Sequence, residues 1–159
     1  ENFMEYTNLV PIIGTILSIT KGYNCYSQMV SLRTENGTVN FMVGQETIII
    51  DNKQLRKGMR IAAFYDSSQP AILIFPPQYN AVMITALGRE EQIMLNYFDR
   101  NLLAADRSLQ LNVAGNTNIE TVNGQKFNCN IRDRVLLVYY TITTRSIPPQ
   151  TTPSRIIVF

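Results

Sequence analysis

Phe64-Tyr65-Asp66, followed by Pro76-Pro77-Gln78-Tyr79, returns in reduced form near the C-terminus as Tyr139-Tyr140-Thr141 followed by Pro148-Pro149-Gln150. The aromatic marks lie 75 residues apart and the proline marks 72, so the second copy is three residues shorter between them. Each copy then closes on an apolar run, Tyr79 to Ile84 in the first and Arg155 to Phe159 in the second. A spacing of roughly 70 residues exceeds the 20–50 of solenoid arrays and fits two small tandem domains.

Strand signals surround these marks. Val10-Pro11-Ile12-Ile13-Gly14-Thr15-Ile16-Leu17-Ser18-Ile19-Thr20 reads as a first strand, with Gly14 marking a bulge or a tightly curved stretch. Lys21-Gly22-Tyr23-Asn24 is turn chemistry, and Tyr26 to Leu32 is a second strand. Asn36-Gly37 carries the signal of a type I′ hairpin, and Val39, Phe41 and Val43 form one face of the third strand. Gly44-Gln45 turns into Thr47 to Ile50, and Asp51 to Arg60 is a connector with at most a single helical turn.

Ile61 to Tyr65 reads as a fourth strand and Tyr79 to Leu87 as a fifth. Between them Ala71-Ile72-Leu73-Ile74-Phe75, bounded by prolines, is expected to cover an open barrel end. Gly88 to Glu91 is the domain boundary. Beyond it, strands are expected at Gln92–Phe98, Leu109–Val113, Arg134–Ile142 and Arg155–Phe159, a helical turn within Asn101–Arg107, and a second hairpin signal at Asn123-Gly124. The opening residues to Asn8, with Phe3, Met4 and Tyr6, have no clear period and read as a tail.

Three strands, a short connection ending in Gly58, a strand, a loop and a strand make up the order of the five-stranded OB barrel. The expected fold is therefore all-β, two tandem OB-like barrels, the first with its tail over residues 1–88 and the second, degenerate, over 89–159.

Composition sets the exclusions. Of 159 residues 45% are apolar and 16% charged, which suits a compact chain rather than a disordered one. The net charge is +2 with interspersed signs, which gives no electrostatic case for nucleic acid or an anionic membrane. No run approaches the roughly 18 apolar residues of a membrane span, and no basic-then-apolar leader is present. The chain begins at Glu1, compatible with a removed leader or with a chosen boundary. Cys25 and Cys129 sit at non-equivalent places and are expected as isolated, buried or half-buried thiols. Histidine is absent, so the commonest general base, the imidazole of a catalytic triad and the usual zinc ligand are all missing.

The first half resembles a group of exported proteins of anaerobic Gram-positive bacteria with tandem OB-like repeats. The resemblance rests on Val10-Pro11-Ile12-Ile13-Gly14-Thr15-Ile16, Asp51-Asn52-Lys53-Gln54-Leu55-Arg56-Lys57-Gly58-Met59, Phe64-Tyr65-Asp66 and Phe75-Pro76-Pro77-Gln78-Tyr79. It implies an extracytoplasmic location, secreted or in the cell envelope, and no catalytic role. The second half departs from the pattern, since no acid follows Tyr140 and no aromatic follows Gln150.

Candidate ligand-binding residues are Tyr65, Asp66 and Tyr79, an aromatic and acidic platform on a barrel face. The competing reading places the two rings in the barrel wall and has Asp66 cap its own turn. Pro76-Pro77 fixes the entry to the fifth strand more simply than it serves as a polyproline ligand. Lys53, Arg56, Lys57 and Arg60 are the densest basic group, more in keeping with a solvated connector than a phosphate groove. Asp51, Asp99, Asp106 and Asp133 lack the spacing of a calcium loop, so no metal and no cofactor is expected. The leading expectation is a non-enzymatic interaction or structural module whose partner is a protein or a cell-envelope component. The alternative is a module binding oligosaccharide, peptide or single-stranded nucleic acid, and an enzyme using a carboxylate pair ranks last because no two acids pair convincingly.

Overall fold

The computed structural model describes residues 6–70 and 72–159, so Phe3, Met4 and Ala71 lie outside the described residues. The chain is all-β and divides into two compact units. One is Asn8–Arg89; the other is Glu90–Phe159, joined by the described residues Tyr6 and Thr7.

The first unit is built from β1 (Leu9–Lys21), β2 (Gln28–Thr34), β3 (Gly37–Val43), β4 (Ile48–Ile49), β5 (Arg60–Asp66), β6 (Gln78–Asn80) and β7 (Met83–Ala86), with one 3-10 turn at Ile50–Asn52. They form a single sheet in the order β4-β7-β5-β1-β2-β3-β6. β1 is long because it serves two partners: Leu9 to Thr15 pair with β5 and Thr15 to Lys21 with β2, with a register shift between Ile16 and Ser18. Gly14 sits where the strand changes partner. A Cβ there would lie 2.7 Å from the carbonyl oxygen of Arg33, so close approach of the β2 backbone is what requires glycine.

Alternation places Ile16, Val30, Leu32, Phe41, Ile61 and Ala63 in one core. Ala62 and Phe64, on the opposite side of β5, are also buried, so β5 is covered on both faces.

The expected closed barrel does not form. The fifth strand, read as continuous from Tyr79 to Leu87, is split at Ala81-Val82 into β6, parallel to β3, and β7, antiparallel to β5. The amide of Ala81 donates to Met42 O at 2.9 Å and that of Val82 to Phe64 O at 2.8 Å. Successive amides thus serve different partner strands, and the two edges of the sheet, β4 and β6, are not paired with each other. The hairpin at Asn36-Gly37 also differs from expectation. Thr34 pairs with Gly37, and Gly37 has φ +108° whereas Asn36 does not have positive φ. A type I′ turn needs positive φ at both central residues, so this turn centres on Glu35-Asn36 with glycine in the left-handed position after it. Gly124, at φ +82°, ends the turn Thr121–Gly124 in the same way.

The second unit contains β8 (Gln92–Phe98), β9 (Gln110–Leu111), β10 (Asn118–Thr121), β11 (Arg134–Tyr140), β12 (Gln150–Thr151) and β13 (Arg155–Val158). Four of these form a sheet in the order β10-β13-β11-β8, and β9 pairs with β12 separately, so here too no barrel closes. Phe98, Leu109, Leu136, Val138 and Ile156 make its core. The helical turn expected within Asn101–Arg107 is absent: Leu102 and Arg107 take φ +59° and +62°, and the segment is held by turns and isolated bridges.

Several pairings of the first unit recur in the second. Phe64 opposes Met83 across β5 and β7, and Tyr139 opposes Arg155 across β11 and β13, displaced by the 75 and 72 residues of the sequence marks. The Asn40 amide donates to Pro77 O at 2.9 Å, and the Gln110 amide donates to Pro149 O at 2.9 Å. The Val82 amide bonds Phe64 O as that of Ser154 bonds Tyr139 O, at 2.8 and 3.0 Å. Phe75-Pro76 and Ile147-Pro148 are both cis. No strand in the second unit corresponds to β2 among the described residues.

Candidate functional site

Tyr65 ends the inward-facing row Ile61, Ala63, Tyr65 of β5, and Tyr79 lies on β6, paired with Phe41 of β3. Both side chains are half-buried against the first core. Their rings stack with centroids 4.1 Å apart and planes at 20°, and Phe41 lies 5.7 Å from Tyr79 on a tilted plane. Burial pushes the Tyr65 phenol above its ordinary value, and the neighbouring Tyr79 phenol adds to the effect.

Asp66, the next residue on β5, points to the other face. Its Oδ1 accepts the Ser68 amide at 2.9 Å and the Ser68 hydroxyl at 2.6 Å, closing its own turn. The Ser68 hydroxyl and then its amide hold the carboxyl below the ordinary range. The structure therefore joins Tyr65 to Tyr79 and sets Asp66 apart. The stacked rings occupy one face of each other, which leaves less aromatic surface for a ligand than two separate rings would offer.

The other sequence candidates are tied into the fold. Arg60 Nη1 donates to Gly88 O at 2.8 Å and Arg56 Nη2 to Gln54 Oε1 at 3.3 Å. Asp99 accepts the amides of Asn101 and Leu103, Asp106 the amide and hydroxyl of Ser108, and Asp133 the Tyr97 hydroxyl. No group of three or more acids and thiols among the described residues is placed to hold a metal. Cys25 and Cys129 are both free and exposed, not buried as expected, because each falls in a surface connection rather than on a strand.

Two features went unread in the sequence. The first is the loop Gly22–Ser27 between β1 and β2, which presents Tyr23 and Tyr26 at 79% and 69% exposure. Its backbone is fixed from within: the Gly22 amide bonds Ser27 O at 3.0 Å, the Tyr26 amide bonds Asn24 Oδ1 at 2.9 Å, and the Asn24 amide bonds the Ser27 hydroxyl at 3.1 Å. These rings border a cleft of about 460 Å³ whose other wall includes Gln45, Glu46 and Asn80. Two aromatics within glycine, asparagine and serine turn chemistry were the available signal.

The second is the loop between β5 and β6. Ile72, Leu73 and Phe75 are 61%, 97% and 93% exposed and Ile74 is about half exposed, so this run covers nothing, contrary to its expected role as a lid on the core. No charged residue occurs from Ser67 to Gly88. Among the described residues, every exposed large apolar side chain of Asn8–Arg89 belongs to one of these two loops.

Comparison of the chain with protein-family models and with curated proteins finds no match. No helix among the described residues is long and apolar enough to cross a membrane.

Proposed function

We propose that the chain is a non-enzymatic binding module made of two OB-like units, of which the first carries the ligand face. The observation that carries this reading is that, among the described residues of Asn8–Arg89, the exposed large aromatic and aliphatic side chains are confined to the loops Gly22–Ser27 and Ser67–Pro77. In OB folds the connections between strands one and two and between strands four and five, with the face of strands two and three, are where oligosaccharides and oligonucleotides bind. Large exposed apolar groups at such places are otherwise a cost in solubility.

The strand order supports the OB-like assignment. If β6 and β7 are taken as one interrupted fifth strand and β5 as the fourth, the sheet runs in the OB order of one, two, three, five and four. The matched hydrogen bonds at 75- and 72-residue displacements support a common origin for the two units. In the second unit the place of β2 is reduced to the isolated bridges Phe98–Ala104 and Leu103–Gln110, so its face of strands two and three is much smaller. Its role is structural. The resemblance of the first half to exported proteins supports a location outside the cytoplasm as part of this proposal.

Titration calorimetry of the chain against neutral glycans, single-stranded oligonucleotides and peptides tests the reading. A ligand should appear whose binding is lost in a Tyr23→Ala, Tyr26→Ala double variant and kept in Tyr65→Ala. A reproducible hydrolytic activity that maps to this chain would sink the non-enzymatic assignment.

A further inference from the structure

We propose that the cleft beside loop Gly22–Ser27 is a binding site for a neutral oligosaccharide. The inference rests on the reading of that loop as part of the ligand face and names the class of ligand.

The polar groups around the cleft fall into two sets. Asn24, Ser27 and Thr47 are spent on the scaffold, since Asn24 and Ser27 close the loop and Thr47 Oγ1 donates to Ala81 O at 2.8 Å while accepting the Gly44 amide at 3.1 Å. Gln45, Glu46, Asn80 and the two tyrosine hydroxyls have no such duty among the described residues. Two exposed rings on a hydrogen-bonded loop, with five unspent polar groups around them, suit a ligand with an apolar face and a rim of hydroxyls. A pyranose ring has both: its axial C–H groups pack on an aromatic face, and its hydroxyls donate to carboxylate and amide oxygens and accept from amide N–H groups.

Charge disfavours nucleic acid in the cleft, and the main chain at its Ala81-Val82 wall offers nothing to an added strand. No lysine or arginine lines the cleft and its one acidic residue is Glu46, so it offers nothing to a phosphodiester backbone. An extended peptide that adds a strand needs unpaired main-chain groups. At the Ala81-Val82 wall all four are taken: Ala81 N by Met42 O, Ala81 O by Thr47, Val82 N by Phe64 O and Val82 O by the Ile48 amide at 2.9 Å. The volume of about 460 Å³ lies within the roughly 300–1,000 Å³ of small-ligand sites, enough for a short oligosaccharide.

The test is calorimetry of the full chain against cello-, malto- and N-acetylated chito-oligosaccharides, with a ten-nucleotide oligothymidylate and a mixed-sequence decapeptide as competing classes. At least one neutral glycan series should bind, Tyr23→Ala and Tyr26→Ala should each weaken it tenfold or more, and Glu46→Gln should weaken it several-fold. The urea midpoints of the two tyrosine variants should match that of the unaltered chain. Binding of the oligothymidylate or the peptide that is lost in Tyr23→Ala would overturn the sugar assignment and leave the loop as the ligand face. Glycan binding that survives both tyrosine substitutions, or no binding by any glycan series, overturns the proposal, and in the first case the assignment of the loop falls with it.

Discussion

The hydroxyl of Thr47 donates to the carbonyl of Ala81 at 2.8 Å, tying the turn after β3 to the break between β6 and β7. The same oxygen accepts the Gly44 amide at 3.1 Å. Seventy residues on, Thr117 Oγ1 donates to Pro153 O at 2.8 Å and accepts the Ala114 amide at 3.2 Å. One side chain thus holds a turn closed and fixes it to the place where the last strand changes partner. A split strand leaves carbonyls that no ladder satisfies, and threonine supplies the missing donor.

Thr47→Val keeps the shape and removes the hydroxyl, leaving the Gly44 amide and the Ala81 carbonyl without their partner. The expected loss is about 1–2 kcal/mol in urea unfolding, with Thr47→Ser recovering most of it. Thr117→Val should cost a similar amount. A valine variant as stable as the unaltered chain at either position would show that water serves those groups equally well.

Gly14→Ala tests the crossing of β1 from β5 to β2. The new methyl would meet the Arg33 carbonyl oxygen at 2.7 Å and the Leu32 and Thr34 side chains at 3.1 Å, and backbone cannot yield as a long side chain can. Destabilisation of about 1–3 kcal/mol is expected from overpacking. Gly37→Ala meets no neighbouring atom, and its cost should come only from φ +108°. If Gly14→Ala proves the milder of the two, close approach is not what selects glycine there.

Much of this architecture is legible in the chain, and the misses have physical causes. The displacements of 75 and 72 residues read from Phe64-Tyr65 and Pro76-Pro77-Gln78 are those of the paired strands themselves, because aromatic and proline marks sit at strand ends where pairing begins. The split of the fifth strand left no mark: Tyr79 to Leu87 contains neither glycine nor an internal proline, and apolar continuity looks the same whether a strand keeps or changes its partner. Ile72 to Phe75 misled for the opposite reason, since apolar composition reports what burial would gain and not whether it occurs. Tyr23 lies in a stretch that reads as a turn and Tyr26 at the expected start of the second strand, which begins only at Gln28, so both rings fall in the connection, where an aromatic's exposure carries information.

Glu120 and Arg155 meet diagonally across the parallel strands β10 and β13, where Arg155 Nη2 and Nε donate to Glu120 Oε1 at 2.9 and 3.2 Å. The guanidinium also lies 5.2 Å from the Tyr139 ring. Both side chains are about one-fifth exposed, so the pair is more than a surface contact. Arg155→Lys should lose about 1–2 kcal/mol, because an ammonium cannot reproduce two N–H donors converging on one oxygen together with the guanidinium's contact to the ring. Unfolding in high salt should narrow the difference only slightly; complete loss of the difference would mark the pair as solvent-screened.

Asp66 links local geometry to acid stability. Its folded-state carboxyl is held below 3.8 by the Ser68 hydroxyl and amide, so the folded chain binds this proton less readily than the unfolded chain. The contribution is complete above the unfolded value and is lost as pH falls through the folded one. Asp66→Asn should therefore flatten the steepest part of stability against pH below about 4. An unchanged acid limb would mean that the turn does not select the ionised form.

Tyr65 titrates in the opposite sense. Its phenol is raised above 10.0 by burial and by Tyr79, so between the unfolded and folded values the folded chain holds the proton that the unfolded chain has released. Its neutral form supports stability fully below pH 10.0, and that support is lost as pH rises through the folded value. Tyr65→Phe keeps the ring stacked on Tyr79 and removes the phenol, so stability near neutrality should change little while the alkaline decline becomes shallower. Tyr79→Ala removes the stack and should cost about 2 kcal/mol at neutral pH, below the 3–5 of a fully buried aromatic because the ring is half-buried. A double-mutant cycle with Tyr65→Ala should return a coupling of about 0.5–1.5 kcal/mol for the stacked pair. A coupling near zero would mean that each ring packs on the core independently. In that case the 4.1 Å stack would be a consequence of where β5 and β6 place the rings and not something that helps to hold those strands.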